Sequence, residues 1–100
     1  MEFKLPKKVK NIWLKALRSG KYEQGKNNLK YKEYDENFFR YCCLGVAREC
    51  GLTRARARAN NTNEWVCKNF LPKEVQNELA DMNDHGSMFK EIAKWIEKNL

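Results

Sequence analysis

Residues 38–51, Phe-Phe-Arg-Tyr-Cys-Cys-Leu-Gly-Val-Ala-Arg-Glu-Cys-Gly, are the most apolar stretch of a chain that is 33% charged. Cys43, Val46, Ala47 and Cys50 follow the i, i+3, i+4, i+7 spacing of one helix face. Leu44 and Tyr41 add a second apolar face, so only Arg48 and Glu49 are clearly polar. A helix that is apolar around most of its circumference is packed on more than one side. Gly51 stands where a left-handed residue would end it. The stretch therefore reads as a short strand leading into a buried central helix, with the rest of the chain packed around it.

One hundred residues suffice for one domain with one modest core. Residues 6–19 read as a helix, with Pro6 in its first turn and Val9, Ile12, Trp13, Ala16 and Leu17 as its apolar stripe. Residues 21–28 read as a linker. Leu29–Lys32 alternates like a half-buried strand, and Phe38–Tyr41 returns as its hairpin partner. Residues 64–67 read as a short third strand. Phe70-Leu71-Pro72 opens a helix striped by Val75, Leu79 and Met82; Asn83-Asp84-His85-Gly86 ends it, with Gly86 or Asn83 left-handed. Ser87 caps a last helix whose apolar face is Phe89, Ile92, Ala93, Ile96 and Leu100, with Lys90 and Lys94 beside Glu91 and Glu97 as surface pairs. The expected fold is α+β: a small single domain over residues 1–100, with about four helices around the buried central helix, a β-hairpin and a short third strand.

The formal charge of +7 is uneven. Residues 1–60 hold fifteen Lys and Arg against six Asp and Glu, a net +9; residues 61–100 hold five against seven, a net −2. A basic half favours anionic partners, although solubility alone explains some of it. No run approaches the ~18 apolar residues of a membrane span. The basic start, residues 1–10, lacks the apolar core of a signal peptide. The chain thus reads as cytoplasmic. Its four cysteines, Cys42, Cys43, Cys50 and Cys67, fit a reducing compartment and show no zinc-ligand spacing, so neither metal nor cofactor is expected.

The most unusual segment is Arg54-Ala55-Arg56-Ala57-Arg58. In a strand all three arginines face one side. Guanidinium forks recognise phosphate and carboxylate, and three on one face repel each other unless an anion sits among them. A mobile basic loop is the plainer alternative. Three classes of function are then open. A Cys42 or Cys43 thiol with His85 as base, or a carboxylate pair using Asp84, would be an enzyme, but no P-loop, Rossmann or metalloprotease motif supports one. Basic charge interleaved with Tyr22, Tyr31, Tyr34 and Trp65 would suit nucleic acid. A small anionic ligand, held by Arg and Lys and stacked on an aromatic ring, is the third class; in so small a chain its pocket could lie between two protomers of a homo-oligomer.

Three segments also carry a resemblance: Trp13–Gly25, Tyr41–Ala47 and Met82–Glu97. In this order they resemble a family of small proteins of tailed bacteriophages and prophages, with the pattern W-x-x-A-L-x-S-G-x-Y-x-Q, then C-C-L-G-V, then L-N-D-x-G-x-S-F-x-E-I-A-x-x-I-E. The chain departs from it at His85 and Met88. The resemblance implies a phage setting and no particular reaction. Small basic phage proteins often act on host machinery or host defence, some by sequestering nucleotide immune signals. The expected function is thus a non-catalytic, phage-encoded binding protein that captures an anionic nucleotide. Arg54, Arg56 and Arg58 would hold phosphates, Arg18, Gln24 and Arg40 would assist, and Tyr31 or Trp65 would stack on a base. The alternatives are a nucleic-acid-binding regulator and an inhibitor of a host protein.

Overall fold

Helix α1 (Lys7–Arg18) starts after Pro6, whose φ of −55° and ψ of 138° place it just outside the helix rather than inside the first turn. Lys15 and Arg18 in the last turn suit the negative end of the helix dipole, and Gly20, at φ +77°, turns the chain away. Trp13, Leu14 and Leu17 are buried, whereas Ile12 is 41% exposed. The stripe is thus rotated from the expected one, because α1 packs on two helices at once. The computed structural model describes residues 3–52 and 71–100.

Three two-residue strands follow: β1 (Glu23–Gln24), β2 (Lys30–Tyr31) and β3 (Arg40–Tyr41). Their order is β1-β3-β2. β2 and β3 are the expected antiparallel hairpin, with Lys30 opposite Tyr41 and Tyr31 opposite Arg40. β1 pairs parallel to β3, Glu23 opposite Arg40 and Gln24 opposite Tyr41. This strand lies inside the stretch read as a linker, which corrects that reading. The Gly25 N–H extends the pairing to the Tyr41 carbonyl at 2.7 Å. A β-carbon on Gly25 would stand 2.8 Å from the Arg40 β-carbon and 2.5 Å from the Tyr31 ring, so only glycine lets these backbones meet. The strand expected at residues 64–67 lies outside the described residues.

Helix α2 (Cys43–Glu49) is central, as expected. Cys43, Leu44, Gly45, Val46 and Ala47 are all buried. The Cys42 Sγ accepts the Gly45 N–H at 3.4 Å as an N-cap, and Gly51 turns left-handed after the helix at φ +74°. The Trp13 indole N–H donates to the Cys43 carbonyl at 3.0 Å, tying α1 to the start of α2. A β-carbon on Gly45 would collide with the Leu29 carbonyl, so this helix lies directly on the chain entering β2.

Helices α3 (Lys73–Asp84) and α4 (Phe89–Asn99) complete the described fold. Val75 and Leu79 face the core, and so do Phe89, Ile92, Ala93, Ile96 and Leu100. α3 packs on α2, and α4 packs on α1 and α3. Of the two residues expected to turn left-handed after α3, Gly86 does so, at φ +104°, while Asn83 is helical and fully buried. One correction follows at the start of α4. The α4 N-cap is Met88 rather than Ser87; the Glu91 carboxylate accepts the Met88 N–H at 3.0 Å. Four helices and a three-stranded sheet around one apolar cluster make the described unit α+β. No helix among the described residues is long and apolar enough to cross a membrane.

Candidate functional site

Where β1 meets the α3–α4 turn, two side-chain amides join segments about sixty residues apart. Asn83 Oδ1 accepts from the Cys43 N–H at 3.2 Å and from Gln24 Nε2 at 3.0 Å; its Nδ2 donates to the Gly25 carbonyl at 2.7 Å. Gln24 Nε2 also donates to the Ser87 carbonyl at 2.7 Å, and its Oε1 accepts the Phe89 N–H at 3.0 Å. Each amide orientation follows from its partners, since a flipped Gln24 would set oxygen against oxygen. Asp84 adds a third link, accepting the N–H of Asn27 at 2.9 Å. Asn27 has φ +66°, a conformation that asparagine tolerates better than most residues. A buried amide with all its groups bonded fixes one arrangement of its neighbours.

This network floors an open cleft of about 670 Å³ between the α1–β1 turn and the α3–α4 turn. Its volume lies within the range of small-molecule sites, roughly 300–1,000 Å³. Leu17, Tyr22, Met88 and Phe89 supply apolar wall, and Met88 is 61% exposed. Arg18, Lys26, Arg40 and Lys90 line it against one carboxylate, Glu23. A largely apolar concavity with excess positive charge suits a compact anion that carries an apolar or planar body.

Three of the residues singled out from sequence therefore share one cleft: Arg18, Gln24 and Arg40. Their roles differ. Gln24 spends both amide protons and its carbonyl inside the protein. Arg40 makes a two-pronged pair with Glu36, through Nε at 2.9 Å and through Nη2, and lies over the Phe38 ring. That hydrogen bonding holds the Glu36 carboxyl below its ordinary range and pushes the Arg40 guanidinium up. Arg18 pairs with Glu97 at 3.3 Å with both groups well exposed, an interaction of little strength. Tyr31 lies beside the cleft without lining it, its hydroxyl accepting the Lys26 N–H at 3.3 Å. Arg54, Arg56, Arg58 and Trp65 lie outside the described residues.

Lys26, Lys90, Glu23 and Asn83 were not legible as cleft residues. Lys90 and Lys94 make no ion pair among the described residues, so the surface pairs expected for them do not form; Glu91 caps α4 and Glu97 meets Arg18. The thiol chemistry considered from sequence meets an unfavourable setting. Burial pushes the Cys42 thiol up to about 11, away from the thiolate that a nucleophile needs. The His85 ring nitrogen Nδ1 stands 2.8 Å from the Asp81 carbonyl, on the exposed end of α3. Among the described residues no cluster of His, Cys, Asp or Glu could hold a metal ion.

No curated protein and no solved structure matches the chain. One family model does, over residues 5–77, which takes in α1, the sheet, α2 and the start of α3. It therefore includes Gln24 and the Cys42–Val46 segment but stops short of Asn83. By that match the chain belongs to the family described as Domain of unknown function (DUF8296).

Proposed function

We propose that this protein is a non-catalytic binder of a compact anionic ligand of the nucleotide class, acting in the cytoplasm of an infected bacterium as a phage counter-defence protein that sequesters a nucleotide immune signal. The observation that carries the reading is the cleft of about 670 Å³, lined by four cations and one carboxylate over an apolar wall. The convergence of Arg18 and Arg40 on it supports the same reading, as does the resemblance of the sequence to phage proteins. The buried, high-pKa Cys42 speaks for binding rather than nucleophilic chemistry. The test is a thermal-shift screen of the full chain at fixed moderate salt. The panel holds cyclic di- and trinucleotides, cyclic ADP-ribose isomers, mononucleotides, and short DNA and RNA. A ligand at about 100 times its Kd stabilises by about 2.7 kcal/mol, enough to move the Tm of a chain this size by roughly ten degrees or more. The expected outcome is such a shift with one compact nucleotide, recovered intact afterwards. Shifts only with polynucleotides, steeply salt-dependent, would replace this reading with a nucleic-acid regulator. A flat panel would retire it in favour of a host-protein inhibitor.

A further inference from the structure

The four cations of the cleft are not equally available. Arg40 is held by Glu36, whereas Arg18 meets Glu97 only in a weak, exposed pair. Lys26, on the turn between β1 and β2, and Lys90, in the first turn of α4, make no ion pair among the described residues. An unpaired ammonium can meet a phosphoryl group without first giving up a carboxylate. Glu23 is as informative. Among the described residues it is the single carboxylate lining a positive cleft, it is exposed, and its side chain makes no hydrogen bond, though its charge is felt by Arg40. For a bare anion it is a liability. For a ligand that also carries hydroxyl or amino groups it is an acceptor placed beside the cations. The exposed Met88 thioether and the Tyr22 ring then offer a polarisable surface for a flat body.

We infer that the ligand is a phosphorylated molecule with a planar body bearing hydroxyl or amino groups, that Lys26 and Lys90 hold its phosphoryl group, and that Glu23 reads the body. The inference rests on the nucleotide reading above and deepens it. Arg40 stays with Glu36 and shapes the field of the site, and the weakly paired Arg18 adds to it. Selectivity then comes from Glu23, because a carboxylate rejects anions that bring no donor to it.

Titration calorimetry on the full chain tests this, with AMP and cyclic di-AMP as probes and inorganic pyrophosphate as an anion without a body. The wild-type protein is expected to bind a nucleotide probe more tightly than pyrophosphate. Lys26→Gln and Lys90→Gln should each weaken both ligand types by about tenfold. Glu23→Gln should weaken the nucleotide by about tenfold while pyrophosphate binding holds or tightens. If a nucleotide binds and the lysine variants bind it unchanged, the assignment fails and the nucleotide reading survives. If Glu23→Gln tightens both ligands alike, Glu23 is only a repelling charge and its reading role is overturned. If the wild-type protein binds neither nucleotide, the assignment is overturned, while the nucleotide reading falls only if the wider thermal-shift panel is flat as well. Unaltered circular dichroism spectra of the three surface variants separate lost binding from lost folding.

Discussion

Asn83 has no solvent access, yet four groups from three segments converge on its amide: the Cys43 and Gln24 donors, the Gly25 carbonyl, and the Asp84 carboxylate at 3.4 Å. Truncating it takes a partner from the Cys43 N–H and the Gly25 carbonyl, both in buried residues, and from one proton of the half-buried Gln24 amide. Each stranded group costs about 1–3 kcal/mol, softened by whatever water enters the gap. Asn83→Ala is therefore expected to lose roughly 3 kcal/mol, seen as a fall of about 10–20 °C in Tm by circular dichroism. A fall of a degree or two would mean that the amide is not the tie described above. From sequence, Asn83 looked like a turn residue because an Asn-Asp-His-Gly run is rich in turn formers. The deciding fact, that two distant backbone groups and the Gln24 amide need a partner there, exists only once the chain is folded. Gln24 was picked out for a ligand, and the same logic applies to it: its amide is drawn inward by groups that sequence cannot place beside it.

At the scale of elements, the periodic parts were readable and the shortest part was not. The α4 stripe from Phe89 to Leu100 and the run from Cys43 to Ala47 bury the residues that their spacing named, while Cys50, the last position of that face, is half-buried. β1 has two residues and no alternation to display, and its partner residues lie seventeen positions later, so nothing local marks it. The Ile12-for-Leu14 difference in α1 is of another kind. A stripe of five apolar positions allows several rotations, and the choice is made by packing against both α2 and α4. The contact between α2 and the chain entering β2 gives an element-scale prediction. Since backbone meets backbone at Gly45, no rotamer can relieve an added methyl. Gly45→Ala should cost roughly 3 kcal/mol or more despite alanine's better helix propensity. The measurement is the urea midpoint. A midpoint at or above that of the wild-type protein would show that α2 and Leu29 can part without loss.

For the whole molecule, the pH dependence of stability has a definite sign on the alkaline side. Burial raises the Cys42 thiol to about 11 in the fold, against about 9 for an unhindered thiol. The Tyr22 hydroxyl is also raised, by burial and by its contact with Cys50 at 3.9 Å. Between those pH values the unfolded chain has released the thiol proton and the folded chain still holds it. Stability is therefore full below about pH 9 and falls as pH rises toward 11, by an order of 2–3 kcal/mol for the thiol. Urea midpoints at pH 8 and pH 10.5 check the direction, and Cys42→Ala should flatten the slope. The helix pair that closes the core has a further consequence, in time rather than energy. α1 packs most extensively on α4, and the Leu5 N–H bonds the Leu100 carbonyl at 2.9 Å. A ribosome adds about 5–20 residues per second. Trp13, Leu14 and Leu17 thus emerge on the order of ten seconds before the surface that covers them, and through that interval the nascent chain shows this apolar stripe to whatever chaperone stands at the tunnel exit.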